Sequence, residues 1–228
     1  SVQGIDPHEI TVGVGYGKNH TENAARFLLE WYPSGTVIVV NEDWFYYDGK
    51  SWVKSNEKHM RRGLTVAMSN ATPSNGEVSG TLGILQSMAD RHFEFGAHPS
   101  RDSKSLILLQ NGILDIETNE LLPHTKDFFS TNILPYDYDL SASAPTWDKF
   151  LNDVFEGDQQ RINFVEEWLG YLMVTDYSFQ KIAMFIGVQR SGKTTIQNIG
   201  EALIGRDNFM SIGLEGFANE GTLEGGLT

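Results

Sequence analysis

Hydrophobic side chains recur at helical spacing in several stretches of this chain, separated by short β-branched or continuous apolar runs. This spacing predicts three helices in the first part of the chain, over residues 21–32, 56–68 and 80–92, the first with Thr21 as its N-cap. Apolar runs bounded by turn signals predict three strands, over residues 36–40, 44–47 and 51–53. Residues 69–79 are rich in Ser, Asn, Pro and Gly and predict a mobile loop.

The second part of the chain begins with short strands and continues with helices. Turn signals separate three predicted strands, over residues 106–109, 113–116 and 121–122. Beyond a small-residue linker, the pattern predicts two amphipathic helices, around residues 147–155 and 162–172. A short apolar strand is then predicted over residues 181–186, followed by a helix that ends at Gly205.

These elements predict a mixed α/β fold class with four regions along the chain. We expect a flexible N-terminal segment at residues 1–20 and an α+β accessory domain at residues 21–143. A helical region at residues 144–178 follows, and a strand–loop–helix region begins at residue 179 and runs to residue 228. The boundary at residue 143 is placed in the linker of small residues, because domain boundaries fall in such exposed segments.

Composition restricts the possible functions. The 228 residues carry 17 Lys and Arg against 30 Asp and Glu, a formal net charge of -13. This acidic composition argues against a surface that coats nucleic acid indiscriminately. Any contact with nucleic acid must therefore use a local basic patch. The absence of cysteine excludes disulfides, zinc–thiolate sites and a cysteine nucleophile.

The sequence contains no apolar run close to the roughly 20 residues that a membrane span requires. Its first ten residues also lack the layout of a signal peptide. We therefore expect no membrane partner and a cytoplasmic protein, in the host cytoplasm if the source is viral.

The strongest chemical signal is a phosphate-binding loop. Residues 187–194 read Gly-Val-Gln-Arg-Ser-Gly-Lys-Thr and match the G-x-x-x-x-G-K-[ST] pattern at every fixed position. Glycines let the backbone curl so that its N–H groups point at phosphate oxygens. Lys193 supplies a positive charge for the β- and γ-phosphates, and the Thr194 hydroxyl is a ligand for Mg²⁺. A chain of this length shows the pattern by accident roughly one time in a hundred.

The loop therefore predicts binding of ATP with Mg²⁺. The predicted nucleotide contacts are Gly187, Val188, Gln189, Arg190, Ser191, Gly192, Lys193, Thr194 and Thr195. Within this set Lys193 and Thr194 are the predicted catalytic residues.

One dense basic cluster is a second candidate site. Its members are Lys54, Lys58, His59, Arg61 and Arg62. A solvated helix face explains this cluster, and a nucleic-acid contact through Lys54, Lys58, Arg61 and Arg62 is the alternative. The nearby aromatic residues are Trp44, Tyr46, Tyr47 and Trp52, which support either a stacking platform or a hydrophobic core.

An ordered set of motifs resembles the phage, plasmid and poxvirus primase-helicases. The motifs are residues 111–115 (Asn-Gly-Ile-Leu-Asp), 122–125 (Leu-Pro-His-Thr), 134–139 (Leu-Pro-Tyr-Asp-Tyr-Asp), 145–147 (Pro-Thr-Trp), 150–151 (Phe-Leu), 167–171 (Glu-Trp-Leu-Gly-Tyr) and the phosphate loop. The resemblance covers roughly residues 105–206 and, more weakly, residues 20–100. The ordered set is fairly specific, whereas no single motif is.

The resemblance implies an ATP-driven replicative DNA helicase of superfamily 3, an AAA+ protein that forms a hexameric ring on single-stranded or forked DNA. Residues 144–178 would then be the helical collar that precedes the ATPase core. Residues 179–228 would be the beginning of that P-loop core.

The acidic residues after the phosphate loop depart from the family pattern. A Walker B carboxylate pair should follow an apolar strand, and none of Glu215, Glu220 and Glu224 does. We therefore expect the ATPase core to be truncated in this sequence and these residues alone not to hydrolyse ATP. Two other hypotheses stay open: a different P-loop NTPase, and a non-catalytic module for oligomerisation and DNA docking.

Overall fold

A computed structural model describes residues 15–91, 98, 101–174 and 178–211. These residues form six α-helices and two three-stranded antiparallel sheets, which confirms the predicted mixed α/β class. One compact unit comprises the described residues up to Arg101 together with His124–Thr131, and the other comprises Asp102–Pro123 and the described residues from Asn132 onward. The predicted domain bounds divide the chain differently and stay predictions.

Helices and strands occur in groups along the chain, so that each three-stranded sheet lies between helices in the sequence. The helices are α1 (His20–Trp31), α2 (Glu57–Ala67), α3 (Asn75–Ala89), α4 (Pro145–Phe155), α5 (Gln159–Met173) and α6 (Lys193–Ile204). The strands are β1 (Val37–Val40), β2 (Asp43–Tyr47), β3 (Trp52–Ser55), β4 (Leu106–Leu109), β5 (Gly112–Asp115) and β6 (Glu120–Leu122). Consecutive strands are paired in each sheet, so both sheets are simple meanders.

The start of α1 corrects the predicted N-cap. Asn19 caps this helix, because its Oδ1 accepts hydrogen bonds from the N–H groups of Thr21 at 3.0 Å and Glu22 at 3.3 Å. Thr21 lies inside the first turn. Both residue types are good caps, and only the observed backbone conformation decides between neighbours.

The start of α3 corrects the predicted mobile loop over residues 69–79. Ser69–Ala71 forms a 3₁₀ turn, and α3 begins at Asn75, five residues before the predicted start. Ser74 and Glu77 form a capping box: the Glu77 N–H donates to Ser74 Oγ, and the Ser74 N–H donates to Glu77 Oε2 at 2.8 Å. The spacing Ser-x-x-Glu was the available sequence signal for this boundary.

The first sheet is covered on both faces, which explains why all four residues of β1 are buried. Val37 and Val39 pack with Trp44 against α1, α2 and α3. On the opposite face Ile38 and Val40 join a cluster that contains Phe45, Trp52 and Phe129. A strand with two buried faces reads as a continuous apolar run.

The segment His124–Thr131 belongs to this first unit through Trp52. The Trp52 side chain is 2% exposed, and its Nε1–H donates to the carbonyl of Lys126 at 3.0 Å. The Trp52 backbone N–H donates to the carbonyl of Ser130 at 2.9 Å, and its ring lies edge-on to Phe129. Both N–H groups of this buried residue are therefore satisfied.

Part of the predicted flexible N-terminal segment is held against α1. The Gly17 N–H donates to Asn23 Oδ1 at 2.9 Å, and Asn23 Nδ2 donates back to the Gly17 carbonyl at 2.7 Å. The Tyr16 hydroxyl donates to Glu30 at 3.1 Å. Residues 1–14 lie outside the described ranges.

In the second unit, an extended segment runs beside β4. The Leu134 N–H donates to the Leu108 carbonyl at 2.9 Å, and the Gln110 N–H donates to the Tyr136 carbonyl at 3.0 Å. Leu134 is buried in one cluster with three residues of the second sheet, Ile107, Leu109 and Leu114. Residues 134–138 are thus part of the sheet's core packing rather than a free linker.

Helices α4, α5 and α6 share one hydrophobic cluster in the second unit. Its buried members are Leu151, Ile162, Val165, Leu169 and Ile196. They come from α4, from one face of α5 and from α6. The helix that follows the phosphate loop is therefore packed in the same cluster as α4 and α5.

The strand predicted over residues 181–186 is not formed in the structure. Ala183 and Phe185 are half-buried, whereas Ile182, Met184 and Ile186 are 92%, 79% and 87% exposed. This alternation suits a strand, but a strand also requires a hydrogen-bonded neighbour. Within the described ranges no strand pairs with this segment.

Candidate nucleotide-binding site

The phosphate loop, residues 187–194, leads directly into α6. Gly192 is the N-cap of this helix in the left-handed region, with φ of +82°, and no side chain caps the helix. The first turn carries no acidic residue. The first N–H groups of a helix have no partner within the helix and bear a partial positive charge, so this end of α6 suits an anion.

Lys193 holds its ammonium group inside the curve of the loop. Its Nζ donates to the carbonyls of Gly187 at 2.9 Å and Val188 at 2.7 Å and to the Ser191 hydroxyl at 3.0 Å. The curl is tight, because a Cβ added at Gly187 would lie 2.9 Å from Ser191 Oγ. The positive charge and the helix N-terminus are thus parts of the same short loop.

Arg190 adopts a left-handed backbone conformation, with φ of +63°. This region is unfavourable for residues other than glycine, and such conformations cluster at functional sites. The Arg190 side chain is exposed at the loop, where its charge favours an anionic ligand.

Two threonines begin α6 after the lysine. Thr194 and Thr195 are exposed, and both line a cleft of ≈ 490 Å³ beside the loop. A hydroxyl oxygen next to a phosphate-binding lysine is a suitable ligand for Mg²⁺, which prefers oxygen donors and shares its coordination sphere with phosphates. The Thr194 hydroxyl therefore fits the predicted metal role.

The structure brings most of the predicted nucleotide contacts together around this cleft. The loop residues that line it are Gln189, Arg190, Ser191, Gly192, Lys193, Thr194 and Thr195. Gly187 and Val188 contact Lys193 through their carbonyls instead. Their roles with a nucleotide stay predictions.

Two residues of the cleft were missed by the sequence reasoning. Phe150 and Val154 of α4 form its apolar wall. They are four residues apart and therefore share a helix face. Their spacing in the sequence indicated packing against other helices and not a contact with the loop. One signal in the sequence could have found them. α4 has more apolar positions than a single core stripe requires, because Trp147, Leu151 and Phe155 are apolar as well.

The predicted nucleic-acid residues lie on β3 and α2 of the first unit. Lys54 pairs with Asp43 at 3.1 Å, and Arg61 pairs with Glu57 at 3.8 Å. Lys58 and Arg62 are exposed, one turn apart on α2, and neither forms an ion pair within the part of the chain that the structure describes. These two side chains are the accessible part of the cluster.

The aromatic residues near this cluster do not form a stacking platform together. Trp44 and Trp52 are 3% and 2% exposed and belong to the core. Tyr46 is half-buried, and its ring stacks on His59 with centroids 6.4 Å apart. The interpretation of the tryptophans as core residues is therefore correct.

Other chemical features are sparse. Among the described residues, no three His, Asp or Glu side chains are grouped closely enough to hold a metal ion. The helices of the described ranges are also too short or too polar to cross a membrane. Glu215, Glu220 and Glu224, the carboxylates considered for Walker B, lie outside the described residues.

Comparison with known proteins shows similarity to a family and to a mitochondrial protein. A family model described as D5 N terminal like matches residues 25–156. An uncharacterized mitochondrial protein of Marchantia polymorpha, ymf21, is 23% identical over 122 residues, which cover 48% of this chain and 68% of that protein. The family match ends just after α4, so the phosphate loop lies outside it. The match spans more than half of the chain, and the chain therefore belongs to the D5 N-terminal-like family, the N-terminal domain of phage, plasmid and poxvirus D5 primase-helicases.

Proposed function

We propose that the chain is part of an ATP-dependent replicative DNA helicase of the primase-helicase type, from a phage or mobile element. One observation carries the proposal: the phosphate-loop sequence leads into the N-terminus of α6, which no side chain caps, with Lys193 Nζ inside the loop. Membership of the D5 family supports the helicase assignment, because a phosphate loop alone is common to many NTPases.

In this proposal the N–H groups at the start of α6 and the Lys193 ammonium hold the phosphates of ATP. The Thr194 hydroxyl is a ligand for Mg²⁺, and the metal supplies neutralisation of the phosphate charge when bound. Arg190 adds a second positive charge at the loop. These groups bind and orient the triphosphate, which is the main protein contribution to phosphoryl transfer.

The proposed macromolecular partners are single-stranded or forked DNA and further copies of the chain in a hexameric ring. Family membership supports the ring. Lys58 and Arg62 support a DNA contact, because they are exposed positive charges on one face of α2 in a protein of net charge -13. A local patch is the form that DNA binding must take in so acidic a protein.

The test is hydrolysis of Mg²⁺–ATP by the full protein, measured with and without single-stranded DNA. We expect hydrolysis that DNA stimulates, and none in the Lys193→Ala variant. If the rate of hydrolysis does not depend on DNA, the protein is another P-loop NTPase and not a helicase. DNA binding without any ATP binding or turnover would instead favour the non-catalytic docking module.

A further inference from the structure

Helix α4 contacts the phosphate loop at Gly192. A Cβ added at Gly192 would lie 3.0 Å from Phe150 Cζ and 3.0 Å from Val154 Cγ2. Gly192 also has the left-handed φ of +82° that disfavours any other residue. The backbone of the loop is therefore in direct contact with two apolar side chains that precede it in the chain by about forty residues.

The Phe150 side chain is itself held in place. The Phe150 ring stacks on Trp147 with centroids 5.4 Å apart and planes 23° apart. Leu151 next to it is fully buried in the cluster that also holds Ile196 of α6. α4 thus shares a hydrophobic cluster with α6 and contacts the loop through Phe150 and Val154.

α6 has a second fixed contact farther along its length. A Cβ added at Gly200 would lie 3.4 Å from Leu169 and 3.6 Å from Leu172 of α5. Since Gly200 and Ile196 fix the body of α6, the conformation at Gly192 sets where residues 187–191 lie relative to the first N–H groups of the helix. The contact with Phe150 and Val154 limits that conformation.

We propose that Phe150 and Val154 are positioning residues of the nucleotide site, which act on the triphosphate through Gly192 and the first turn of α6. This inference rests on the proposed binding of ATP at the loop. Neither side chain carries a charge or a hydrogen-bonding group, so each contributes by keeping the loop preorganised. Because such coupling is reciprocal, a bound nucleotide also changes the surroundings of Phe150 and of Trp147, which stacks on it.

The first measurement is the Kd of Mg²⁺–ATP for the full protein and its Phe150→Ala and Val154→Ala variants. We expect each variant to bind roughly tenfold more weakly, equivalent to losing one good contact. Phe150→Leu keeps an apolar contact and should recover most of the affinity. Leu151→Ala is the matched control: it weakens the same helix in the core without touching the loop, and its folded form should keep the wild-type Kd.

The second measurement is the intrinsic tryptophan fluorescence of the protein, in which the Trp147→Phe variant identifies the contribution of Trp147. ATP should change the fluorescence of the wild-type protein, the Trp147→Phe variant should lose this change, and Phe150→Ala should reduce it at saturating ATP. Wild-type affinity in both alanine variants would overturn the inference while leaving ATP binding intact. So would equal losses of affinity in Leu151→Ala and Phe150→Ala. Absence of ATP binding to the wild-type protein would instead remove the proposed function, and the inference with it.

Discussion

Lys193 places its ammonium group against three oxygen atoms of its own loop, at 2.7 to 3.0 Å. We predict that Lys193→Ala raises the Kd of Mg²⁺–ATP by roughly 100-fold, because a charge-assisted hydrogen bond to phosphate is lost. The helices should persist, because Lys193 lies outside the buried clusters. Calorimetric titration and circular dichroism measure the two effects.

Lys181→Ala is the control for this variant, because Lys181 is an exposed lysine just before the loop. It removes the same charge without touching residues 187–194. Equal weakening by both variants would mean that overall charge, and not the loop, governs the affinity. Unchanged affinity in Lys193→Ala would contradict the loop assignment itself.

Gly192 and Gly170 give a matched pair of glycine substitutions at the residue scale. Gly192→Ala meets both the left-handed φ and the contacts with Phe150 and Val154, so we predict a loss of about 1–2 kcal/mol in the free energy of unfolding. Gly170 lies within α5 with no atom within 4 Å of an added Cβ. Gly170→Ala should therefore stabilise by about 0.5–1 kcal/mol. Urea unfolding measures both, and equal effects would contradict the described backbone at Gly192.

The loop residues were predictable from sequence, because each fixed position of the motif has a distinct chemical requirement within eight consecutive residues. Phe150 and Val154 were not predictable as its neighbours. Their contact with Gly192 depends on how α4 packs against α6, and local spacing carries no information on contacts so distant along the chain. The same limit applies to the left-handed conformation of Arg190, because only glycine reports such a requirement directly.

At the scale of elements, the capping box of α3 gives a pH-dependent prediction. The backbone N–H of Ser74, followed by its hydroxyl, lowers the pKa of Glu77 from its ordinary value of 4.5. A carboxyl with a lowered pKa stabilises the folded state above its unfolded pKa, and this stabilisation is lost as the pH falls through the folded pKa. We predict that Glu77→Gln lowers the Tm at pH 7 and that the difference from wild type shrinks as the pH falls below 4.5.

Thermal unfolding of both proteins from pH 7 to acidic pH tests this prediction. Ser87→Ala is the control on the same helix, because it removes a hydroxyl that donates to the Gly83 carbonyl and involves no carboxylate. Its effect on the Tm should not change with pH. A Glu77→Gln difference that stays constant down to acidic pH would show that the carboxylate does not stabilise the helix start.

The contact between β3 and residues 124–131 gives the second prediction at this scale. Trp52→Ala removes a buried ring and its hydrogen bond to Lys126, and we predict a loss of about 3–5 kcal/mol in the free energy of unfolding. Trp52→Phe keeps most of the apolar contact with Phe129 but leaves the Lys126 carbonyl unpaired, so its loss should be smaller. Denaturant unfolding measures both, and a cost for Trp52→Ala below that of Trp52→Phe would contradict this arrangement.

Most elements followed from the sequence, and the errors have physical causes. The helices and the six strands of the two meanders could be predicted because periodicity and turn residues are local signals. The strand over residues 181–186 failed because hydrogen bonding to a neighbour is not local. The start of α3 was predicted five residues too late because the Ser, Asn, Pro and Gly content of residues 69–79 suggested a loop, whereas the capping box and the buried side chains of α3 favour a helix.

At the scale of the whole molecule, the two compact units do not follow the order of the chain. Residues 124–131 join the first unit, although the residues on either side of them belong to the second. This exchange depends on Trp52, Phe129 and the hydrogen bonds between them and their neighbours. A division that interrupts the chain order leaves no linker composition for sequence analysis to detect.

The net charge of -13 makes DNA binding a property of the whole charge distribution as well as of the α2 patch. We predict that the double variant Lys58→Ala/Arg62→Ala weakens binding of single-stranded DNA by the full protein and flattens its salt dependence. Each lost phosphate contact should reduce the slope of log Kd against log salt by about 0.7. The control Lys149→Ala/Arg161→Ala makes the same change in net charge, but at residues that pair with Asp153 and Asp158. Equal losses of DNA affinity in both double variants would mean that the affinity depends only on net charge. A loss of affinity confined to the Lys58→Ala/Arg62→Ala variant would place the DNA contact on α2.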